Sequence, residues 1–352
     1  MNLKALLKFV VDKNGTDLFI NTGAPPMVKI MGSMKPIGQV ALSASNVHDI
    51  VHSMLNDEQS EEFTEKRQLD LAMTIEGAGR FRLNIYHQKG DPAIVARHIV
   101  DEIPSIEALN LPLQLEQISL EKRGLVLVAG ATGTGKSTTL AAMLNYRNET
   151  VAGHILTIED PIEFMHAHKK SLISQREIGI DALTYQDALA SALRESPDAI
   201  LIGECRDQLT MKYAMTFAET GHLTYTTVHA NNARQALDRV VNLFPQELHK
   251  QVRSDLSEHL KAIICQRLPV ASDDTRIPAV EIMMCTPYIQ ELIKQGDIDK
   301  IPEAMVKDND DGSQTFDQAL YGLFIAKKIT ESEALRHADS KDNLKLMMRF
   351  GD

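Results

Sequence analysis

Apolar residues recur at steps of three and four near the amino terminus, first at Leu3, Leu6, Leu7, Val10 and Val11, then at Val47, Ile50, Val51, Met54 and Leu55. Side chains so spaced share one helical face, and each stretch predicts a short amphipathic helix. The period then drops to two. Leu69, Leu71, Met73 and Ile75 alternate with other residues, GAGR at 77–80 predicts a turn, and Phe81, Leu83 and Ile85 alternate with Arg80, Arg82, Asn84 and Tyr86. A further strand is expected over 94–100, after a turn at Lys89, Gly90, Asp91 and Pro92. These elements predict a small α+β domain with a sheet. A hairpin centred near Gly90 sets Arg82 opposite Arg97 on one face. Like charges so placed destabilise a sheet unless an anion or an acid lies between them. The pair therefore suggests an anion contact, although spacing alone favours two solvated arginines.

PSIEALNLP, residues 104–112, carries two prolines in a mixed polar and apolar stretch, the composition of a connector. The expected division is a domain over 1–103, a linker over 104–112 and a second domain over 113–352, the last ending in a helical subdomain from about 285.

The second domain opens with GLVLVAGATGTGKSTTLAAMLNY from Gly124. A continuously apolar, buried kind of strand runs into glycines, and a helix begins near Lys136. Gly130 to Ser137 fits G-x-x-x-x-G-K-[ST] in the strand–loop–helix context that gives the motif its meaning. Such a loop wraps its N–H groups around phosphate, and the helix N-terminus adds partial positive charge. Gly130, Ala131, Thr132, Gly133, Thr134, Gly135, Lys136, Ser137 and Thr138 are the expected nucleotide contacts, with Lys136 on the β- and γ-phosphates of ATP and Ser137 on Mg²⁺.

Three more apolar strands follow within HILTIEDPIEF, AILIGE and HLTYTTVHA, separated by helical stretches. That alternation predicts a mostly parallel sheet covered on both faces, whose ligands bind beyond the carboxyl ends of its strands. Glu159, Asp160, Glu163, Glu204 and His229 all fall at that end. Glu163 and Glu204 suit the holding of Mg²⁺, directly or through water, or the activation of the attacking water. Taken one at a time, each acid is as compatible with a helix cap. His229 suits a hydrogen bond to the γ-phosphate and equally a satisfied core imidazole. His166 and His168 sit in HAHKK, a basic surface stretch without further metal ligands. From Pro302 a polar DNDDGSQ loop precedes a helix through Phe316, Leu320, Leu323 and Phe324.

Composition narrows the class. The 352 residues carry 43% hydrophobic and 24% charged content, enough for two cores. A net charge of -11, 5% aromatic content and no tryptophan leave little for gripping nucleic acid, which weighs against a translocase with the same core. No run of about 18 apolar residues occurs, so a cytoplasmic chain that does not span the membrane is expected. Three scattered cysteines offer neither a disulfide framework nor a CxxC metal site.

Several boxes, in order, carry a family resemblance across almost the whole chain. GATGTGKST, ILTIEDPIEF, AILIGECRD and TGHLTYTTVHANNARQALDRVVNLFP resemble the Walker A, Asp, Walker B and His boxes of secretion-type ATPases. With GTDLFINTGAPPMVKIMG and GRFRLNIYHQ, the chain is similar to the type IV pilus retraction ATPases of the PilT/PilU family. The resemblance implies an α/β fold with a RecA-like P-loop ATPase domain preceded by a smaller PAS-like α+β domain. It also implies a homo-hexameric ring at the base of the pilus that acts through the inner-membrane pilus platform protein. By the same resemblance Glu163 is the acid that activates water, Glu204 the Walker B glutamate that meets Mg²⁺ through water, and His229 the His-box histidine. Arg82 and Arg97 are the amino-domain arginines that contact phosphates, and Arg194, Arg206 and Arg239 lie where subunits could meet. TPYIQELIKQGD at 286–297 lacks the arginine of PilT-like members, and DSKDNLKL at 339–346 is closer to the PilU branch, an accessory partner of a PilT-like ATPase. That branch keeps open a ring that binds ATP without turning it over.

Overall fold

The computed structural model describes residues 2–30, 32–99, 102–307 and 312–351. By its contacts the chain divides into two units, Met1–Glu102 with Glu163–Met165, and Ile103–Ile162 with His166–Asp352.

The amino-terminal unit runs α1 (Leu3–Asp12), β1 (Gly15–Ile20), β2 (Met27–Ile30), β3 (Ser33–Pro36), α2 (Ala44–His52), α3 (Asp57–Lys66), β4 (Gln68–Ile75), β5 (Gly79–Gln88) and β6 (Asp91–Ile99). Its six strands form one antiparallel sheet in the order β3-β2-β1-β6-β5-β4. Both periodic helices are present, and their buried stripes (Leu6, Leu7 and Val10; Val47, Ile50 and Val51) join Phe81, Leu83, Ile85, Ile94 and Ala96 in a single core. The β5–β6 register pairs Leu83 with Ala96 and Ile85 with Ile94 on the core face, which leaves Arg82 directly opposite Arg97 on the other. Because Ile85 is fully buried, Ile85→Val should lower the stability of this unit by about 1 kcal/mol, read as a shift in its urea midpoint.

The second unit holds α4 (Gln114–Ser119), β7 (Gly124–Ala129), α5 (Lys136–Thr150), β8 (His154–Glu159), β9 (Leu172–Glu177), α6 (Tyr185–Ala192), β10 (Ala199–Ile202), α7 (Gln208–Glu219), β11 (Leu223–Val228), α8 (Ala233–Val241), α9 (His249–His259), β12 (Leu260–Arg267) and β13 (Ala279–Met284). Seven strands lie in the order β13-β12-β7-β11-β10-β8-β9, all parallel except β13, which runs antiparallel to β12. Every residue of β7, β10 and β11 is buried, as a sheet covered on both faces requires. Leu125, Leu127 and Ala129 point to the side of α7, α8 and α9, whereas Val126 and Val128 point to that of α4 and α5.

Ile106 and Leu111, inside the proline-flanked stretch expected to be a connector, pack into the core on the α5 side. The contact boundary falls between Glu102 and Ile103. Beyond β13 come α10 (Pro287–Gln295), α11 (Ile301–Lys307), α12 (Phe316–Ile325), α13 (Glu331–His337) and α14 (Lys341–Phe350). Helices α10 and α11 extend the main core through Ile289, Ile293, Ile301 and Met305. Only α12 to α14 gather round a separate cluster, of Ile277, Ala279, Leu320, Ile329, Ala334 and Leu344. Most of the DNDDGSQ loop, residues 308–311, lies outside the described residues. No helix among the described residues is long and apolar enough to cross a membrane.

Candidate nucleotide site

Strands β7, β11, β10 and β8 pair in parallel in that order, so Gly130, His229, Gly203 and Asp160 follow one another along a single edge of the sheet. The P-loop fills the turn from β7 into α5. Gly130 must be glycine because a Cβ there would stand 2.5 Å from Thr134 Oγ1 and 2.9 Å from the Gln266 carbonyl. Gly135, at φ 86°, turns the chain into α5 through the left-handed region. Lys136 Nζ donates to the carbonyls of Gly130 at 2.9 Å and Ala131 at 3.0 Å, and Thr134 Oγ1 donates to Ala131 O at 2.9 Å. The loop is thereby held in a ring around its own lysine. Helices α6, α7 and α8 are capped by Thr184, Asp207 and Asn232, but no side chain caps α5, and its first N–H groups face the loop. An uncapped helix start, glycine-lined backbone and an ammonium together fit a polyphosphate.

Glu204 follows β10 and ties two neighbours to this edge. Its Oε2 pairs with Arg206 Nη2 at 2.8 Å and its Oε1 with His229 Nε2 at 2.9 Å. Burial alone raises its carboxyl, yet the Arg206 hydrogen bond and charge, with His229 and Lys136, hold it below the usual carboxylate range. In the same box the helix cap is Asp207, which accepts from Thr210 N at 2.9 Å. His229 is half exposed and lines an open cavity of about 360 Å³ with Gly130, Ala131, Asn231, Asp238 and Arg239. It is therefore not a sealed core imidazole.

Arg82 and Arg97 belong to the amino-terminal unit, and their acids come from the flanking strands. Arg97 Nε donates to the buried Asp17 at 2.8 Å, and Arg82 lies 3.6 Å from Asp70. Glu163 is exposed and groups with the amino-terminal unit, so of the two candidate acids Glu204 alone shares a unit with the P-loop. Arg206 is engaged by Glu204, Arg239 lines the cavity, and Arg194 is exposed after α6. HAHKK is more than a basic surface stretch. His168 Nδ1 accepts from Ile173 N at 3.1 Å, and the half-buried His166 is pushed down to about 4 by burial and by the charge of Lys169.

Residues 67–305 match the family described as Type II/IV secretion system protein. The chain belongs to that family, among its PilT/PilU-type ATPases. Over 352 residues it is 44% identical to the type IV pilus ATPase PilU of Pseudomonas aeruginosa, covering 100% of this chain and 92% of that one. It is 41% identical to the PilT retraction ATPase of the same organism over 343 residues, 97% of this chain and 100% of that one. A crystal structure of the pilus retraction motor PilT with bound ADP superposes with a TM-score of 0.92 at 36% identity, over 99% of this chain and 100% of that one. The DotB ATPase of Legionella pneumophila does so with 0.77 at 27%, over 94% and 93%. The expected RecA-like P-loop domain, preceded by a smaller α+β domain, is the fold of this secretion-family ATPase.

Two residues at the edge of this ATPase core escape a reading of the sequence alone. Tyr185, the first residue of α6, brings its hydroxyl to 3.3 Å from where a Cβ on Gly203 would stand. Burial, and the charges of Asp160 and Glu159, push its phenol up, so it stays a neutral donor beside the acids. Gln266 accepts from Thr139 Oγ1 at 2.7 Å and fixes the first turns of α5 against β12. Its only signal is a polar residue directly after the apolar run AIIC at 262–265.

Proposed function

We propose that this chain is an ATP-hydrolysing motor that powers or assists type IV pilus retraction. It works as a ring of six copies on the cytoplasmic side of the inner membrane, acts on the pilus platform protein, and is accessory to a PilT-like ATPase. The observation that carries the reading is the P-loop closed around Lys136 at the same sheet edge as the Glu204–His229 pair. Likeness to PilU and PilT supplies the pilus, and the 44% against 41% identity supports the accessory role.

The P-loop amides and Lys136 bind the β- and γ-phosphates and draw negative charge towards α5. Ser137 would hold Mg²⁺ through its hydroxyl oxygen and the ionised Glu204 would hold it through a water, the hard oxygen donors that this ion prefers. When bound, Mg²⁺ neutralises charge that builds on the phosphate oxygens. His229, steered by Glu204, reports the γ-phosphate. Glu163 orients the attacking water, and Arg82 and Arg97 hold the phosphates from the amino-terminal unit. Loss of the γ-phosphate weakens those charged contacts, so ATP and ADP are held differently.

The purified chain should release phosphate from ATP with Mg²⁺ and stop when the metal is removed by EDTA. Adding a PilT-type ATPase should raise turnover. Nucleotide binding without turnover, alone and with that partner, would leave only the ring that binds and does not hydrolyse. Turnover that requires DNA would point to a translocase.

A further inference from the structure

Strand β12 runs beside β7 with Cys265 across from Ala129, so its last two residues, Gln266 and Arg267, arrive at the P-loop. Successive strand side chains point to opposite faces. Gln266 goes to α5, and Arg267 goes the other way, towards α8. There its guanidinium donates to the Asn231 carbonyl at 3.0 Å and to the carbonyl of His337, pairs with Asp339, and lies 3.7 Å from the centre of the Phe316 ring. Glu281 sits opposite Cys265 on β13, and its carboxylate accepts the Ala233 amide at 2.6 Å. Asn232, between the two gripped residues, caps α8 through the Gln235 amide at 2.9 Å. Carbonyl, side chain and amide of three consecutive residues are thus tied, and the segment has little room to slide.

Two residues upstream stands His229, and Asn231 shares with it the wall of the cavity beside Gly130. Glu281 is 5% exposed, and burial pushes its carboxyl up to about 7, with the Ala233 amide and Arg267 working against that rise. A buried carboxyl beside a part-buried guanidinium, each held by its own partners, is a costly way to fill a strand end that apolar side chains could occupy. The charges have a positional job.

We infer that Arg267 and Glu281 are positioning residues for nucleotide turnover: by clamping residues 231–233 they hold His229 in register with the P-loop. The inference rests on the ATPase reading above. The same guanidinium reaches Phe316 at the start of α12 and the α13–α14 junction, so it joins the histidine segment to the carboxyl-terminal helices.

A double-mutant cycle with His229 tests it. Arg267→Ala should lower kcat about tenfold with KM for ATP within about twofold, because the phosphate loop is untouched. In a His229→Ala background the same change should cost less than about twofold. Arg267→Lys keeps the charge without the planar fork and should fall between. It also carries the cycle should the alanine variant fail to fold. Equal losses with and without His229, or a raised KM at unchanged kcat, would overturn the inference. A wild-type chain without turnover would instead sink the ATPase reading on which it stands.

Discussion

Lys136→Ala should abolish ATP turnover, with kcat/KM lower by about three orders of magnitude. Two separate losses add up in this variant. The first is the ammonium, the only lysine in the loop and the charge that sits nearest the helix start. The second is the loop's shape, since Lys136 Nζ is what draws the carbonyls of Gly130 and Ala131 inward at 2.9 and 3.0 Å. Without it those carbonyls face a phosphate with no cation between them. Arginine should not rescue, because a planar fork is too wide for a ring closed round a point charge. Stability without nucleotide should change little, as Lys136 is only partly buried and the strand beneath it is intact. Phosphate release and nucleotide titration on the same preparation separate the two losses. A variant turning over within about threefold of wild type would remove Lys136 from the site.

The features easiest to read in the sequence are those whose cause is local. Helix α1 follows from Leu3, Leu6, Leu7 and Val10 on one stripe, β7 from an unbroken apolar run, and the P-loop from Gly130, Gly133 and Gly135, which all take positive φ, Gly130 also where a Cβ would collide. The Arg82–Arg97 pairing was legible for the same reason, because a tight turn at Gly90 fixes the register of both strands. Strands β1 to β3 gave no such signal. They are short, β3 is exposed throughout, and their place in the sheet depends on pairing with β6, which lies far away in sequence. Helix α3 is hidden too, since DEQSEEFTEK buries Phe63 alone and owes its start to the Asn56–Gln59 capping box.

At the site, residue types were legible and partnerships were not. Nothing near Arg97 in the chain reveals that its acid is Asp17, eighty residues earlier, buried on the neighbouring strand. The proline-flanked connector misleads in the opposite direction. Prolines mark where helices and strands stop, but Ile106 and Leu111 still have apolar surface to bury, and they bury it in the second unit. Within AILIGECRD the two acids look alike on paper. The fold gives Asp207 to the α7 N-terminus and turns Glu204 towards His229 and Arg206.

That division of labour sets the second large effect. Glu204→Gln should bind ATP with Kd within about threefold of wild type and turn over about two to three orders of magnitude more slowly. Glutamine keeps the shape, and its amide oxygen still accepts from Arg206, so the strand end should hold. The charge is what goes, and with it the anion paired with His229 and, in the proposed mechanism, the group that would hold Mg²⁺ through water. Burial works against that charge, but Arg206, His229 and Lys136 outweigh it and hold the carboxyl below its usual range. The sign follows. A lowered carboxylate stays ionised as pH falls through its ordinary value, and both its catalytic and its stabilising contribution are lost only below that. Between pH 5 and 8, about the working range of such an enzyme, Glu204 should therefore contribute no acid limb to kcat. Any limb seen there must belong to another group, and it should survive in the Glu204→Gln chain at its lower rate. Glu163→Gln run beside it separates the acids: if Glu163 orients water, its loss also lowers kcat while leaving Mg²⁺ dependence unchanged, whereas loss of Glu204 should raise the Mg²⁺ concentration needed for half-maximal rate. A Glu204→Gln chain with wild-type kcat and wild-type Mg²⁺ requirement would take the residue out of the reaction and leave it a tether for Arg206.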